Sequence, residues 1–481
     1  MPGGTTATTA TTSWKSNRGP QRKMIRFLNV YYPTRTVVLL LCEACVVSGC
    51  FLLATWLILR QDTFLALQYE HGLIKIAALT IVSLMLSYYF DLYEPSIVSG
   101  RLQIYFRILL VLGFDCFVLA AFLLVDPDVA IAPYVYVLGF TFLAPAMILM
   151  RRSYEWVAGQ KVFRERIYVL GAGEYARSIV TAIQSRPDLG MEVVDWRDVQ
   201  LEPTERKKIW IQELAKIGNG RPMVHRIIVA MESKRGELPV QELLSLRFRG
   251  ITVEDDGALR ERLYGKIQLE GLRPSNFLYS EGFRIKPSQQ FVRQVISIIA
   301  AAIGLLLFLP FFPFVVLAVK LSSKGPIFFK QTRVGMGGRN FDVIKFRTMF
   351  TNAEAEGAKW ATKNDPRVTK VGMFLRKTRI DEIPQLWNVL RGDMGFVGPR
   401  PERPEFVAWL SEELPYYYLR TLIRPGLTGW AQVRYGYGAT LAETKEKLEY
   451  DLYYIKHMSL GLDLLIMFET IKTILRRRGA Q

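Results

Sequence analysis

Four long apolar segments occupy the first third of this 481-residue chain and constrain its fold more than any other feature. They cover residues 36–59, 72–90, 104–125 and 131–150, and each is close to the roughly 20 residues that cross a bilayer as a helix. Half of all residues are hydrophobic, which is too many for an ordinary soluble protein. The pattern predicts a membrane α-helical bundle of four transmembrane helices over residues 29–152.

Charged residues around these segments indicate their orientation. Arginines flank the two ends of the set, and two aspartates lie between the third and fourth segments: Arg26, Arg35, Arg151, Arg152, Asp126 and Asp128. By the positive-inside rule, both ends of the bundle face the cytoplasm. The net charge of +18 suits anionic lipid headgroups or phosphorylated substrates. A nucleic-acid partner is not expected, because the basic residues adjoin membrane segments rather than a recognition motif.

Few residues outside this pattern suggest metal or disulfide chemistry. The four cysteines lie inside apolar segments and the three histidines are scattered, so neither a zinc site nor a disulfide framework is expected. Glu43 lies inside the first apolar segment. It is either a functional intramembrane acid or a snorkelling or interhelical hydrogen-bonded side chain, and the sequence leaves both readings open. Residues 1–28 are predicted to form a disordered basic tail.

Residues 153–283 alternate short apolar strands with polar helices, which predicts a Rossmann-like α/β domain. Gly171 and Gly173 follow the first of these strands and open a helix, and Asp195 ends the second strand. This arrangement indicates a possible nucleotide-binding site, although such glycine turns also serve simple strand-to-helix packing. The segment has no Tyr-x-x-x-Lys pair, so a regulatory or structural role is predicted for it.

Residues 284–322 contain a run of 25 uncharged residues, from Val295 to Val319, that lies between Arg293 and Lys320. Its length alone would allow a full membrane span. However, Pro310 and Pro313 interrupt it, and the 15 residues before Pro310 reach only about 22 Å as a helix. We therefore expect a re-entrant membrane helix that enters one leaflet, breaks and returns, which keeps the rest of the chain on the cytoplasmic side.

The segment 323–481 contains an adjacent acid pair, Asp381 and Glu382, just before Pro384, a residue tolerated at the start of a helix. One interpretation is a simple helix N-cap. Four cations in the same segment are more than one capped helix requires, and they suit a substrate with two phosphates: Lys345, Arg347, Arg376 and Arg400. The segment is therefore predicted to be a small α/β catalytic domain. Its last helix is apolar on one side, as an interfacial helix or a packed one would be.

The acid pair also suggests a reaction. An aspartate is ionised at neutral pH, so Asp381 could attack phosphorus without a general base, and the helix dipole and nearby arginines are expected to lower its pKa further. A Mg²⁺ ion bound to Asp381 would relieve the repulsion between the carboxylate and a diphosphate. The acyl phosphate that forms would then react with a second acceptor in a two-step route.

Three motifs carry a resemblance to a known family: KFRTM, LRKTRIDEIPQLWNVLRGDMGFVGPRP and RPGLTGWAQV. From about residue 284 to the C-terminus the chain resembles the bacterial sugar transferases that are monotopic phosphoglycosyl transferases. With its four apolar segments and Rossmann-like middle, it resembles the large undecaprenyl-phosphate hexose-1-phosphate transferases, which start exopolysaccharide synthesis at the cytoplasmic face of the bacterial inner membrane.

The resemblance implies roles for individual residues. Asp381 would be the nucleophile, forming a phosphosugar-aspartate intermediate from a UDP-hexose with release of UMP, and Glu382 would assist Mg²⁺ or the incoming polyprenyl phosphate. Arg376 and Arg400 match family phosphate contacts, and the prolines near 310 match the break in the re-entrant helix. Many relatives have an aspartate where this chain has Gln294, so a headgroup-adjacent role for that acid does not transfer.

Rival interpretations explain less of the chain. A metal-dependent glycosyltransferase would need an Asp-x-Asp motif in a cytoplasmic domain, but the one instance is Asp126-Pro127-Asp128, in a loop expected to face outward. A polytopic phosphosugar transferase would need about ten spans. A membrane scaffold or nucleotide-sensing regulator of polysaccharide assembly leaves the acid and arginine cluster unexplained. The sequence does not identify the hexose, although the family favours glucose over galactose, and a homo-oligomer is possible.

Overall fold

The computed structural model describes residues 24–27, 29–93, 101–125, 131–160, 164–186, 189–196, 203–220, 222–231, 236–280, 282–351, 365–435 and 440–475. The protein is mostly helical, with several apolar helices and a small parallel sheet. Most of the predicted N-terminal tail and the Asp126-Pro127-Asp128 motif lie outside the described residues.

The helices and strands of the described residues are numbered here in chain order. The helices are α1 Thr34–Leu59, α2 Thr63–Gln68, α3 Gly72–Tyr89, α4 Arg101–Val125, α5 Pro133–Gly159, α6 Gly173–Gln184, α7 Pro203–Gly218, α8 Val240–Phe248, α9 Asp256–Tyr264, α10 Pro274–Tyr279, α11 Pro287–Phe308, α12 Phe312–Ser322, α13 Lys370–Lys377, α14 Gln385–Arg391, α15 Pro404–Glu413, α16 Trp430–Arg434, α17 Leu441–His457 and α18 Leu460–Leu475. The strands are β1 Ile25–Phe27, β2 Val30–Tyr32, β3 Glu165–Leu170, β4 Met191–Asp195, β5 Arg226–Val229, β6 Thr252–Asp255, β7 Phe328–Val334, β8 Asn340–Phe346, β9 Gly395–Val397 and β10 Gly426–Thr428.

Helices α1, α3, α4 and α5 pack together around a shared apolar core. Phe51 of α1 is buried in this core, and a Cβ at Gly139 of α5 would meet its ring at 2.4 Å. The absence of a side chain at Gly139 therefore permits the close approach of α5 to α1, because interiors are packed without spare volume. Five helical stretches of the described chain are long and apolar enough to cross a membrane: Thr34–Gln68, Gly72–Tyr89, Leu102–Val125, Pro133–Ala158 and Pro287–Ser322.

Glu43, whose role the sequence left open, is buried between these helices. Its carboxylate accepts hydrogen bonds from Arg151 Nη2 at 2.7 Å and from Ser87 Oγ at 2.5 Å. Arg151 also donates to the backbone carbonyl of Leu92. These contacts join α1, α3 and α5 and satisfy both carboxylate oxygens, so the interhelical interpretation describes Glu43 better than the functional one.

The predicted tail ends earlier than residue 28. Strands β1 and β2 form a short antiparallel hairpin in which Ile25 pairs with Tyr32 and Phe27 with Val30. Val30 is buried in the core of the C-terminal region, and Arg26 Nη2 lies 3.0 Å from His457 Nδ1. Apolar burial and this polar contact stabilise the strand Ile25–Phe27, although the basic composition alone predicted a disordered tail there.

The parallel sheet has the strand order β4-β3-β5-β6, with every neighbouring pair parallel. Helices cover both faces: α7 and α8 pack on one side, whereas α6 and α9 pack on the other. Gly171 directly follows β3, and a Cβ there would lie 2.0 Å from the carbonyl oxygen of Ala230, which follows β5. The glycine therefore serves the close approach of two backbone segments.

The apolar run predicted to re-enter the membrane is a broken helix. Helix α11 ends at Phe308, a 3₁₀ turn covers Leu309–Phe311, and α12 begins at Phe312. Both halves contact the C-terminal region. Ala301 of α11 packs with Leu386 and Val389, and Val319 of α12 packs with Leu375. The rings of Phe308 and Phe312 each lie 6.1 Å from that of Phe346.

The C-terminal region combines two small strand pairs with helices. Strands β7 and β8 form an antiparallel hairpin whose turn contains Gly337 and Gly338 at positive φ, and β9 pairs with β10 in parallel. Helix α18 buries Leu462 and Ile466 in the core of this region, and its other face is exposed at residues such as Leu464. The structure thus shows that one face of α18 packs on the C-terminal region, which was one of the two interpretations of its pattern. Membrane contact, the other interpretation, stays a prediction.

Candidate active site

The acid pair lies in a strained turn between two helices. Arg379 adopts a left-handed conformation with φ 58°, and the 3₁₀ turn Ile380–Glu382 follows it. Such a conformation costs a non-glycine residue on the order of 1 kcal/mol and is common at functional sites. Pro384 is the residue before α14, and no side chain caps this helix. The alternative interpretation of Asp381 as an N-cap is therefore not supported.

Glu382 is the centre of a cluster of cations. Its carboxylate lies 2.6 Å from Arg400 Nη2, 3.2 Å from Lys345 Nζ and 3.6 Å from Arg379 Nη1. Burial by itself would favour the protonated acid, but the three cations outweigh it and hold the pKa of Glu382 well below its usual value. Glu382 is therefore ionised and already paired before any substrate binds.

Asp381 differs from its neighbour. It is 7% exposed, and its Oδ1 atom has no hydrogen-bond partner. Burial and then the negative charge of Glu382 raise the pKa of Asp381 to about 6, against the opposing effect of Lys345, Arg376 and Arg379. The sequence-based expectation of a lowered pKa is thus wrong, because desolvation and the adjacent carboxylate exceed the attraction of the cations.

The predicted phosphate-binding cations divide into two groups. Lys345, Arg376 and Arg400 lie around the acid pair, and Arg376 Nε donates to Thr348 Oγ1 at 3.0 Å. Arg347, by contrast, donates through Nη2 to the carbonyl of Ser323, the residue after α12. Its side chain thus contacts the end of the broken helix rather than the acid pair.

Two residues near the pair were missed by sequence reasoning. Arg379 contacts Glu382, and its place two residues before Asp381 was the available signal. Asn388 is fully buried and connects α14 to β8, because its Oδ1 accepts from the amide of Ile344 and its Nδ2 donates to the carbonyl of Asp342. This link fixes the helix that follows the acids against the strand that carries Lys345.

The residues present limit how a metal could bind. Within the described ranges there is no group of three or more histidine, cysteine, aspartate and glutamate side chains that could hold an ion. Glu382 is paired with cations and Asp381 Oδ1 has no hydrogen-bond partner, so Asp381 is the acid of the pair that could bind an ion. Mg²⁺ commonly takes one or two carboxylates together with substrate phosphates and water. The site therefore fits a Mg²⁺ ion held mainly by a phosphorylated substrate, with Asp381 as its protein ligand.

The predicted nucleotide-binding residues belong to a different part of the protein. Gly171 and Gly173 lie at the turn from β3 to α6, where Gly173 has φ 74°, and Asp195 ends β4. The structure brings these three positions to the carboxyl edge of the parallel sheet. They do not share an element with the acid pair.

Comparisons with known proteins agree with the motifs of this region. Residues 288–477 match the family model described as bacterial sugar transferase. The chain is 44% identical over 223 residues to the UDP-N-acetylgalactosamine-undecaprenyl-phosphate N-acetylgalactosaminephosphotransferase of Aeromonas hydrophila, which covers 46% of this chain and 52% of that protein. The match thus spans about half the length of this relative.

Two further relatives differ in how much of them is covered. The UDP-glucose:undecaprenyl-phosphate glucose-1-phosphate transferase of Escherichia coli K12 is 33% identical over 328 residues, which is 66% of this chain and 69% of that protein. The exopolysaccharide production protein PSS of Rhizobium leguminosarum is 42% identical over 192 residues, which is 39% of this chain and 96% of that protein. The motifs around Asp381, the matched family model and these relatives together show that the chain belongs to the bacterial sugar transferase family.

Proposed function

We propose that this protein transfers a hexose-1-phosphate from a UDP-sugar to undecaprenyl phosphate, releases UMP and thereby starts exopolysaccharide synthesis. The observation that carries the proposal is the unpartnered, buried Oδ1 of Asp381 beside an ionised Glu382 and several cations. The names of the relatives support it, since those from Aeromonas and Escherichia are undecaprenyl-phosphate sugar phosphotransferases.

In the first step, the carboxylate oxygen of Asp381 attacks the phosphorus next to the sugar. A new bond forms between this oxygen and phosphorus, and the bond from that phosphorus to the bridging oxygen of the diphosphate breaks. The leaving group is UMP. Arg376, Lys345 and Arg400 are placed to neutralise the phosphoryl oxygens, which is the main contribution a protein makes to such a transfer.

In the second step, a phosphate oxygen of the polyprenyl carrier attacks the same phosphorus. The bond to Asp381 breaks, the carboxylate is restored, and the sugar remains joined to the lipid through a diphosphate. A mixed anhydride between a carboxylate and a phosphate is reactive enough for this transfer, and the two-step route predicts ping-pong kinetics.

The raised pKa of Asp381 is compatible with this role. With a pKa of about 6, most of the carboxylate is ionised at neutral pH. Because Glu382 is paired with three cations, we assign to it the positioning of Arg400 and Lys345 rather than metal binding. Mg²⁺, held by the donor diphosphate and Asp381, would supply charge neutralisation at the phosphoryl oxygens.

The proposed topology is a re-entrant helix with the catalytic region on the cytoplasmic face of the bacterial inner membrane. It is supported by the contacts that both halves of the broken helix make with the C-terminal region. A full span with the same contacts would place Glu382, Lys345 and Arg376 at hydrocarbon depth, which is costly. The arginines at the ends of the four apolar helices favour the same side.

The proposed domain organisation has the four-helix transmembrane bundle before a Rossmann-like domain. For the latter we favour a regulatory or structural role. The all-parallel sheet and its two helical layers support a doubly wound, Rossmann-like assignment, and the strand order, with the third strand on the other side of the first, is the flavodoxin-like order of that class. The contact between Gly171 and Ala230 supports a packing role for the glycine turn, whereas nucleotide binding stays a hypothesis.

The test is a donor screen with purified full-length protein in nanodiscs. UDP-glucose, UDP-galactose and UDP-N-acetylgalactosamine are supplied with polyprenyl phosphate, and released UMP and the lipid product are measured. We expect turnover with one of these donors and none in Asp381→Asn. UMP release that survives this substitution would refute the nucleophile, and no turnover with any donor would favour the scaffold or regulator interpretation.

A further inference from the structure

The loop Gly398–Glu402 carries Arg400 between two prolines, Pro399 and Pro401. Proline has no amide hydrogen, so this loop has few backbone donors with which to fix its own conformation. Its position must therefore be set mainly by donors that reach its carbonyl oxygens from elsewhere.

Four consecutive carbonyl oxygens of the loop accept such hydrogen bonds. The donors are Gly426 N to Pro399 O at 2.9 Å, Arg420 Nη2 to Arg400 O at 3.0 Å, Arg333 Nη1 to Pro401 O at 3.1 Å and Val334 N to Glu402 O at 2.9 Å. Two of the donors are backbone amides of neighbouring elements, and the other two are guanidinium groups. At Arg400 itself, the backbone carbonyl accepts from Arg420.

Arg420 is held in a fork by three different acceptors. Its Nε donates to Asp451 Oδ2 at 2.8 Å, its Nη1 to the hydroxyl of Tyr417 at 2.6 Å, and its Nη2 to the Arg400 carbonyl. Its guanidinium also lies over the Tyr417 ring, 5.0 Å from the centroid. A planar guanidinium that is fixed at three nitrogens has almost no freedom to move, and a lysine could not reproduce this geometry.

We propose that the buried Arg420–Asp451 ion pair positions Arg400: it holds the loop so that the Arg400 guanidinium lies beside the acid pair. This inference rests on the proposed function, since it names a positioning residue for that reaction. A buried ion pair adds little net stability compared with apolar residues of the same size. Its main consequence here is geometric: it holds the Arg400 backbone where the guanidinium reaches Glu382 at 2.6 Å.

The proposal has a consequence that a purely structural role lacks. Neither Arg420 nor Asp451 touches the acid pair in this structure, so replacing either should act on the reaction through Arg400. The effect of such a replacement should therefore disappear once Arg400 itself has been replaced, because residues that act through one another are not additive.

The experiment compares kcat and KM for UMP release at one pH in full-length wild type, Arg420→Lys, Asp451→Asn, Arg400→Met and the double variant Arg420→Lys/Arg400→Met. We expect about a tenfold loss of kcat/KM from Arg420→Lys or Asp451→Asn alone, and no further loss when Arg420→Lys is added to Arg400→Met. Tyr417→Phe removes one of the three bonds without changing charge and should give a smaller loss. The matched control is Glu165→Gln, which breaks a 2.8 Å contact between Arg226 and a carboxylate in the parallel sheet. It should lower thermal stability and leave kcat/KM in place.

A second readout does not depend on activity. Calorimetry measures binding of the UDP-sugar donor to full-length Asp381→Asn, in which turnover is blocked; adding Arg420→Lys should weaken binding, and adding it to Asp381→Asn/Arg400→Met should not weaken binding further. Losses from Arg420→Lys and Arg400→Met that add fully, in both activity and binding, would overturn the positioning role. Activity that survives Asp381→Asn would instead refute the proposed function, whatever the binding data give.

Discussion

Glu43 and Asp381 are both buried acids that lie near arginine, but they differ in how completely their carboxylate oxygens are hydrogen-bonded. Glu43, among the apolar helices, has one oxygen on Arg151 and the other on Ser87, so its hydrogen bonding is complete. Asp381, in the C-terminal region, keeps an unpartnered oxygen next to a neighbour that has taken up the cations. The first arrangement holds helices together, whereas the second leaves a carboxylate oxygen without a hydrogen-bond partner, as the proposed nucleophile requires.

Asp115 of α4 shows that an unpartnered oxygen is not sufficient. Both of its carboxylate oxygens are buried without a hydrogen-bond partner, and no ion pair is seen for it within the described part of the chain. It is thus an unsatisfied acid without a cation cluster. A phosphate site needs both features at once, because the substrate brings negative charge that only nearby cations can offset. The acid pair at Asp381 combines them.

The largest expected effect separates the two acids by activity. Asp381→Asn should reduce UMP release at least about a thousandfold, because a covalent nucleophile is lost. Glu43→Gln should change the rate less than about fivefold, since it retains the shape of the interhelical contact. Trapping the phosphosugar adduct after brief mixing with donor, followed by intact-mass measurement, checks both. An adduct that persists in Asp381→Asn would reverse the assignment.

The next largest effect distinguishes the arginine beside Glu43 from the arginine beside the acid pair by the free energy of unfolding of their variants. Arg151→Met leaves Glu43 as an uncompensated buried charge and should cost about 3 to 5 kcal/mol. Arg400→Met should cost less, because Glu382 still contacts Lys345 and Arg379, but it should lower activity far more. Thermal unfolding midpoints and UMP release, measured on the same nanodisc samples, should therefore rank the two variants in opposite orders. If both measurements rank the two variants in the same order, the distinction between a structural Arg151 and a functional Arg400 is wrong.

A smaller effect concerns the sign of a stability change at the site. Folding raises the pKa of Asp381 from 3.8 to about 6, so the native state loses stability as the pH rises through this window. Asp381→Asn removes that cost and should stabilise the protein by about 1 to 3 kcal/mol at pH 7.5, with no gain at pH 4. Glu382→Gln should destabilise it instead, since three cations lose their partner. Unfolding midpoints at the two pH values provide the check.

The smallest effect is the pH dependence of the wild-type enzyme. Because the ionised carboxylate of Asp381 is the reacting form, kcat/KM should fall about tenfold per pH unit below roughly pH 6. A profile that stays flat down to pH 5 would mean that the raised pKa does not control the reaction. The same profile in Glu382→Gln tests how much of the elevation comes from the neighbouring charge.

Much of the local structure was predictable because it depends on short-range patterns. The apolar runs became α1, α3, α4 and α5, the alternating segment became strands β3 to β6 with helices between them, and the glycine turn before residue 340 joined β7 to β8. The prolines near 310 lie in and after a 3₁₀ turn that interrupts the broken helix. These outcomes follow from side-chain periodicity and from residues that restrict the backbone.

The details of the site were harder to predict. The fork of Arg420, the turn of Arg347 toward Ser323 and the inward hairpin of residues 25–32 all depend on partners that are distant in sequence. The unfavourable burial of Asp381 could not be predicted from the sequence either, because desolvation is a property of the packed environment rather than of the residue.

The sequence by itself determined that this chain enters a membrane, where its helices and strands run, and that an acid pair lies among many cations. Only the tertiary structure decided which acid is neutralised and which is left with a free oxygen. The reason is that residue type sets the charge a side chain can carry, whereas burial and the distance to partners decide how much that charge costs and what it can react with.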